Sequence, residues 1–186
     1  MDTRTLTALV IAAAAVVVVA ASIIARRRRS ALLKQQFGPE YERVVKIHGD
    51  PGRAEDVLLE REKRVRNFSL RPLTPADRER YANAWAGVQR RFVDDPSAAV
   101  AQADKLVTTV MAVRGYPMGD FEQRAADISV HYPAVVENYR AAYDISRRHA
   151  QTMTTTEDLR RAMVHYRSLF DELLDTPSHQ LDRLAS

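Results

Sequence analysis

The chain has 186 residues, 46% of them hydrophobic, and 28 Lys and Arg against 24 Asp and Glu give it a formal net charge of +4 at pH 7. The absence of cysteine excludes disulfides, thiolate metal sites and a cysteine nucleophile. With six glycines the sequence contains no glycine-rich phosphate loop, and it also lacks the HExxH, GxSxG and EF-hand signatures.

Residues 1–5 form a short N-terminal flank, and the following residues 6–25, LTALVIAAAAVVVVAASIIA, carry no charge. A helix of this length extends about 30 Å, which matches the hydrocarbon core of a bilayer. Four arginines, Arg26, Arg27, Arg28 and Arg29, follow at once. Positive residues beside a span stay in the cytoplasm. The sequence therefore predicts a single-pass protein of the cell membrane, with its N-terminus outside and its C-terminal domain cytoplasmic.

The alternative for this segment is a cleaved signal peptide on a secreted protein, because Ala20, Ala21 and Ser22 have the small side chains of a cleavage site. That alternative requires the four arginines to cross the membrane, and the residues before the apolar run are barely basic. The sequence therefore favours the anchor. We expect its partners to be the lipid bilayer and, at the four arginines, anionic lipid headgroups.

Residues 26–70 are predicted to form a basic juxtamembrane helical region. Gly38-Pro39 should end the first helix, and Gly49-Asp50-Pro51-Gly52 predicts a turn between two further helices, which would form a hairpin. Residues 1–70 hold 13 basic and 8 acidic side chains, whereas residues 71–186 hold 15 and 16. The positive excess therefore lies beside the membrane segment, and nucleic acid is not predicted as a partner.

Residues 71–176 are predicted to form a small helical bundle, which begins at the linker RPLTP, and residues 177–186 a flexible tail. Thr74 is a good N-cap with Pro75 at the first helical position. Breaks at Pro96 and Pro133 and a C-terminal stop at Gly115 divide the rest into successive helices.

The last helix is predicted to begin at Thr154, which has the spacing of a capping box with Glu157. Apolar residues recur at helical spacing throughout, and no segment shows sustained alternation bounded by hairpin turns. The predicted fold class is therefore all-α. It comprises a single N-terminal transmembrane helix, a juxtamembrane helical hairpin and a bundle of about five helices.

Four stretches together resemble a known family. They are RFVDDPSAAVAQADKLV from Arg91, RGYP from Arg114, FEQRAADISV from Phe121 and TTEDLRRAMVHYRSLFDELL from Thr155. The family consists of uncharacterised bacterial proteins, actinobacterial in type, with one N-terminal hydrophobic segment and an Arg-rich helical domain. The similarity covers residues 37–174. It implies a helical fold and no activity, cofactor or site residue.

The best candidate catalytic constellation is Gln123, Asp127 and His131, which lie at i, i+4 and i+8 on one helical face. A carboxylate four residues before a histidine can orient its ring for acid–base chemistry, and both can ligate a metal. A simpler interpretation is structural. Pro133 places His131 at a helix end, where it would cap carbonyls and favour the helix dipole.

The further candidate, His165, is expected on a solvated face with Asp158, Arg161, Ser168 and Glu172. No cofactor-binding or metal residue is predicted. The sequence favours a membrane-anchored, non-catalytic interaction or scaffold module that binds a protein partner or a second copy of itself. The enzyme alternative is a small metal-dependent or hydrolytic enzyme that uses Asp127 and His131.

Overall fold

The structure, a computed structural model, describes residues 3–151 and 154–175, with side chains from residue 11 onward. These residues form helices and no strand, which confirms the predicted all-α fold class. The predicted tail, residues 177–186, lies outside the described residues. The helices in the described ranges are α1 (Thr3–Phe37), α2 (Pro39–His48), α3 (Pro51–Arg66), α4 (Pro75–Asp94), α5 (Pro96–Val113), α6 (Phe121–His131), α7 (Pro133–Gln151) and α8 (Thr156–Asp175).

Proline opens five of these helices, at Pro39, Pro51, Pro75, Pro96 and Pro133. Proline has no N–H, and its fixed φ suits a helix, so the first helical position accepts it without loss of a hydrogen bond. The helix boundaries that the sequence predicts at Pro39, Pro75, Pro96 and Pro133 are confirmed, whereas Pro51, which the sequence places inside a turn, already begins α3.

Short polar side chains cap the N-termini of α4 and α5. Thr74 Oγ1 accepts a hydrogen bond of 3.0 Å from the N–H of Asp77 at the start of α4. Asp95 Oδ1 accepts one of 3.0 Å from the N–H of Ala98 at the start of α5. Each bond satisfies an amide that has no partner inside its helix.

The capping box of α8 lies one residue later than the sequence predicts. Asp158 donates its N–H to Thr155 Oγ1 and accepts the N–H of Thr155 at Oδ2, both at 3.2 Å. The predicted pair, Thr154 and Glu157, is therefore wrong. The Thr154 hydroxyl instead lies 2.9 Å from Nδ1 of His149 on the preceding helix. Thr154 thus contacts the end of α7, and Thr155 caps α8.

The helices α2 and α3 pack against each other and against the C-terminal part of α1. Their shared apolar cluster also receives one side chain from α6. The members of this hairpin cluster are Leu33, Phe37, Tyr41, Val44, Ala54, Leu58, Val65 and Val130.

The helices α4 to α8 enclose the main apolar core, in which α5 packs against both α4 and α8, and α8 against α7. The helix α6 contributes to both clusters: Ala125 and Ile128 lie in the main core, and Val130 lies in the hairpin cluster. The short helix α6 is thus one element through which the hairpin meets the bundle, and α7, which α2 also contacts, is another.

Residues 71–74 of the predicted linker lie in the non-helical segment before α4, which crosses the end of α5, and Pro75 already begins α4. The Arg71 N–H donates to the carbonyl of Arg114 at 3.0 Å, and Arg71 Nε donates to the carbonyl of Val113 at 2.6 Å. The next residue, Gly115, has a φ of +95°. The linker is therefore held at the C-terminal end of α5 by one backbone hydrogen bond and one from the Arg71 side chain.

The helix α1 has 35 residues and is about 52 Å long at 1.5 Å per residue. Leu33 and Phe37 near its end are buried in the hairpin cluster, whereas residues 11–29 are exposed on every side. In the part of the chain that the structure describes, no helix is long and apolar enough to cross a membrane. The side chains of residues 6–10, which begin the predicted span, lie outside that part.

We expect Gly115→Ala to destabilise the fold by about 2–4 kcal/mol, since a Cβ there would lie 2.5 Å from the Ser69 carbonyl oxygen and φ is positive. The matched control is Gly49→Ala, where φ is +70° and nothing lies within 4 Å. It should cost about 1–2 kcal/mol, the backbone strain alone. Urea unfolding of the full chain, followed by circular dichroism, measures both. Equal losses would mean that the linker does not approach α5 this closely.

Candidate functional site

A groove of about 530 Å³ lies where α3 passes the start of α6. This volume falls within the range of small-molecule pockets. The side of α3 contributes carboxylates and arginines, and α6 contributes carboxylates and an amide. The polar lining residues are Asp56, Glu60, Arg61, Arg64, Asp120, Glu122 and Gln123.

Asp127, one of the predicted catalytic candidates, lies directly behind this groove with 1% of its surface exposed. Its Oδ1 accepts hydrogen bonds from Arg64 Nε at 2.9 Å, from Arg64 Nη2, and from Gln123 Nε2 at 2.9 Å. The predicted proximity of Gln123 and Asp127 is confirmed. The carboxylate that the sequence offers as a base is nevertheless engaged by a guanidinium of α3, and it binds the hairpin to α6.

A second carboxylate, Glu40 at the start of α2, is fully buried beside the groove. Its Oε1 accepts from Arg61 Nη1 at 2.7 Å and from Arg140 Nη2 at 3.2 Å, while Arg43 lies 3.9 Å away. Arg140 also donates from Nη1 to Glu122 at 2.6 Å on the groove rim. One carboxylate thus joins α2, α3 and α7.

Glu40 and Arg140 are not among the site residues predicted from the sequence, although the sequence contains a signal for both. Each charge occupies a position on the apolar stripe of its helix. Glu40 is four residues before the buried Val44, and Arg140 is four residues after the buried Val136. A charge at such a position needs a partner of opposite sign from another helix, because an unpaired buried charge is costly.

His131, the third member of the predicted constellation, is the last residue of α6. Its Nδ1 lies 2.8 Å from the hydroxyl of Tyr116. Burial, assisted by the charge of Arg114, lowers the pKa of His131 to about 4. Burial also raises the pKa of Tyr116 well above its ordinary value, so the phenol keeps its proton and can donate it to Nδ1.

The position predicted for His131 at a helix end is therefore confirmed. The predicted role, in which a charged His131 favours the helix dipole, is not. An imidazole that is neutral at pH 7 brings no positive charge to the helix dipole. Its hydrogen bond goes to Tyr116 rather than to Asp127. Asp127 and His131 thus have separate partners, and sequence spacing alone does not make them a base–orienter pair.

Arg114 lies near His131 and is 1% exposed. Its Nη1 donates to the Tyr132 hydroxyl and to the carbonyl oxygen of Leu173, each at 2.8 Å. The Leu173 carbonyl belongs to the last turns of α8, where the helix dipole is negative. The guanidinium therefore acts as a C-terminal cap of α8 from inside the core.

His165 is half-buried on α8, and burial together with the charge of Arg161 lowers its pKa. The described residues hold no group of three or more His, Cys, Asp or Glu that could hold a metal ion. The predicted candidates therefore fall into separate local environments: Gln123 with Asp127, His131 with Tyr116, and His165 on another helix.

The four arginines that follow the apolar run, Arg26, Arg27, Arg28 and Arg29, are all exposed on α1. Only the last of them has an ion pair among the described residues: Arg29 Nη2 donates to Asp56 Oδ1 at 2.6 Å, and its Nε lies 3.8 Å from Glu55. Arg29 thus joins α1 to α3, and the other three guanidiniums have no carboxylate partner in the described structure.

Comparisons with protein-family models, with curated proteins and with solved structures found no match to this chain.

We expect Glu40→Gln to destabilise the protein by about 3–5 kcal/mol, because it leaves Arg61 and Arg140 without their shared carboxylate in a buried site. The control, Glu42→Gln, removes an exposed carboxylate of the same helix that lies 3.4 Å from Lys34. Its effect should stay within about 0.5 kcal/mol. Urea titration measures the difference, and equal effects would contradict the buried pairing.

The lowered pKa of His131 predicts that the folding stability depends on pH. Between pH 6.5 and about 4 the unfolded chain binds a proton at His131 that the folded chain does not. Folding stability should therefore fall as the pH is lowered through this window, by up to about 3 kcal/mol from this group. His131→Gln should lessen the fall, whereas His48→Gln, at an exposed position, should not. Urea unfolding midpoints of the wild type and the two variants, measured at pH 7 and pH 4.5, test this prediction.

Proposed function

We propose that this protein is a single-pass membrane-anchored helical protein that acts as a non-catalytic interaction module. The observation that carries the proposal is the apolar part of α1, whose side chains are exposed on all sides. Ile11 is 70% exposed, Val16 68% and Ile24 53%. A helix that is apolar all round is stable only when lipid or another protein covers it. Together with residues 6–10, this stretch has the length of one bilayer span.

The arginines support an orientation for this anchor. The uncharged run ends at Ala25, and Arg26 to Arg28 follow without carboxylate partners in the described structure. Cationic residues at this position favour a cytoplasmic bundle and attract anionic headgroups, each by about 1 kcal/mol. The rest of α1 continues into the hairpin cluster, so the bundle would be held close to the membrane surface.

The environments of the polar candidates favour a binding protein over the enzyme alternative. Asp127 is held by Arg64 and Gln123, and His131 is neutral and bound to Tyr116. A hydrolase would need a base and a nucleophile or water site that face one another. Binding to a protein partner or to a second copy requires only a surface, which the exposed faces of the bundle provide.

The test of the anchor is fractionation of cells that express the full chain with a C-terminal reporter. We expect the protein to remain in the membrane after a carbonate wash and to be released by detergent. Val16→Arg with Val17→Arg should move it to the soluble fraction or prevent its accumulation, since each arginine costs about 2.5–3.5 kcal/mol at mid-span. The control, Leu32→Arg, changes a residue of the same helix that is 65% exposed beyond the arginines, and it should stay in the membrane.

Two outcomes would contradict the proposal. Release of the wild-type chain by carbonate would mean that no span exists. An external reporter, with a mass that shows loss of the residues before Arg26, would establish the exported alternative. A cytoplasmic reporter on an intact, membrane-bound chain supports the anchor in the orientation proposed.

A further inference from the structure

The helices α4 and α8 both pack on α5, and a shallow groove remains between them on the outer surface of the bundle. Its volume is about 200 Å³, below the usual range for small-molecule pockets, and so suits a side chain of a larger partner. The floor and one wall are apolar, and both charged residues at its edge are arginines. The lining includes Trp85, Phe92, Arg160, Met163, Val164 and Arg167.

The apolar surface of this groove is in part uncovered. Val164 is 55% exposed, and Phe92 is only partly buried. Trp85 is 5% exposed and stacks on Phe170, with ring centroids 4.6 Å apart, so the floor is held rigidly. A rigid aromatic floor loses little entropy on binding, which is typical of the anchor points of protein interfaces.

Trp85 also has an unsatisfied polar atom. Its indole Nε1 is buried and has no hydrogen-bond partner among the described residues. Buried indole N–H groups usually have one, since an unpaired buried donor is costly. The unpaired donor is a cost that the folded chain carries at the residue that forms the floor of the groove.

The two arginines at the edge of the groove favour a partner with negative charge. Arg160 and Arg167 line the groove with their side chains 58% and 57% exposed. Their own carboxylates, Glu157 and Asp171, do not line it. Arg160 is held by Glu157 through two hydrogen bonds of 2.8 and 2.7 Å. The ion pair of Arg167 with Asp171 is a single contact of 3.3 Å at the surface, which a second carboxylate can replace at little cost, so Arg167 is the cation that a partner can reach.

We propose that this groove binds an acidic amphipathic helix of a partner protein, with one large apolar side chain against Trp85 and Val164 and a carboxylate beside Arg167. The proposal rests on the interaction-module part of the proposed function and gives it a surface and a partner chemistry. It does not depend on the membrane anchor, because the groove is built from α4 and α8 alone.

Trp85 is the only tryptophan in the sequence, so its fluorescence reports on this groove alone. The full chain, in lipid nanodiscs or in buffer if it proves soluble, is titrated with two synthetic amphipathic peptides that share their leucines. One carries glutamate at its polar positions, and the other carries lysine. We expect the glutamate peptide to shift the Trp85 emission and to protect it from acrylamide, with weaker binding as salt is raised.

Two pairs of variants separate the groove from general surface effects. Val164→Asp should weaken binding of the glutamate peptide about tenfold or more, whereas Val93→Asp, at a residue of α4 that is 82% exposed outside the groove, should not. Arg167→Glu should weaken it similarly. Its control, Arg91→Glu, disrupts an i,i+4 pair with Asp95 of the same kind away from the groove.

Circular dichroism confirms that each variant folds. Equal binding of the lysine peptide, no change in Trp85 emission with either peptide, or equal effects of Val164→Asp and Val93→Asp would each overturn the proposal. A dependence of the emission on protein concentration alone would show that a second copy covers the groove, and would also overturn it. Fractionation tests the anchor separately, so failure of one proposal is distinguishable from failure of the other.

Discussion

Glu40 is a fully buried carboxylate at the point where three helices meet, and two guanidiniums from distant parts of the chain donate hydrogen bonds to its Oε1. Arg61 comes from α3 and Arg140 from α7. A buried ion pair adds little net stability over an apolar substitute, because desolvation of the charges offsets their attraction. The ion pair instead disfavours other arrangements of the hairpin. Any arrangement that separates Glu40 from both arginines would leave buried charges without partners, which raises its free energy.

The pair of Asp127 with Arg64 repeats this logic one turn along α3. Arg61 and Arg64 lie three residues apart on the same face of α3, and each reaches a carboxylate on a different neighbouring helix. The two contacts fix the position of α3, and Arg29 of α1 in turn binds Asp56 of α3. These charge contacts and the buried Leu33 and Phe37 together hold the C-terminal part of α1 against the hairpin.

Two surfaces of different character result from this arrangement. The exposed apolar stretch of α1 suits lipid, and the groove at Trp85 suits a protein partner. They are formed by different helices, since the groove uses α4 and α8, whereas α1 packs against α2 and α3. Under the two proposals above, the protein would hold a partner close to a membrane.

The sequence by itself determined the all-α class and the main helix boundaries, because prolines, caps and apolar spacing act within a few residues of one another. It also placed Gln123 beside Asp127 and His131 at a helix end. Only the tertiary structure decided which charges are buried, why Thr155 rather than Thr154 caps α8, and that Tyr116 binds His131. The buried charges and the contact of Tyr116 with His131 depend on side chains that are distant in sequence, such as Arg64 and Asp127, which local pattern cannot bring together. The groove at Trp85 was unpredictable for the same reason: it exists only because α4 and α8 pack side by side on α5.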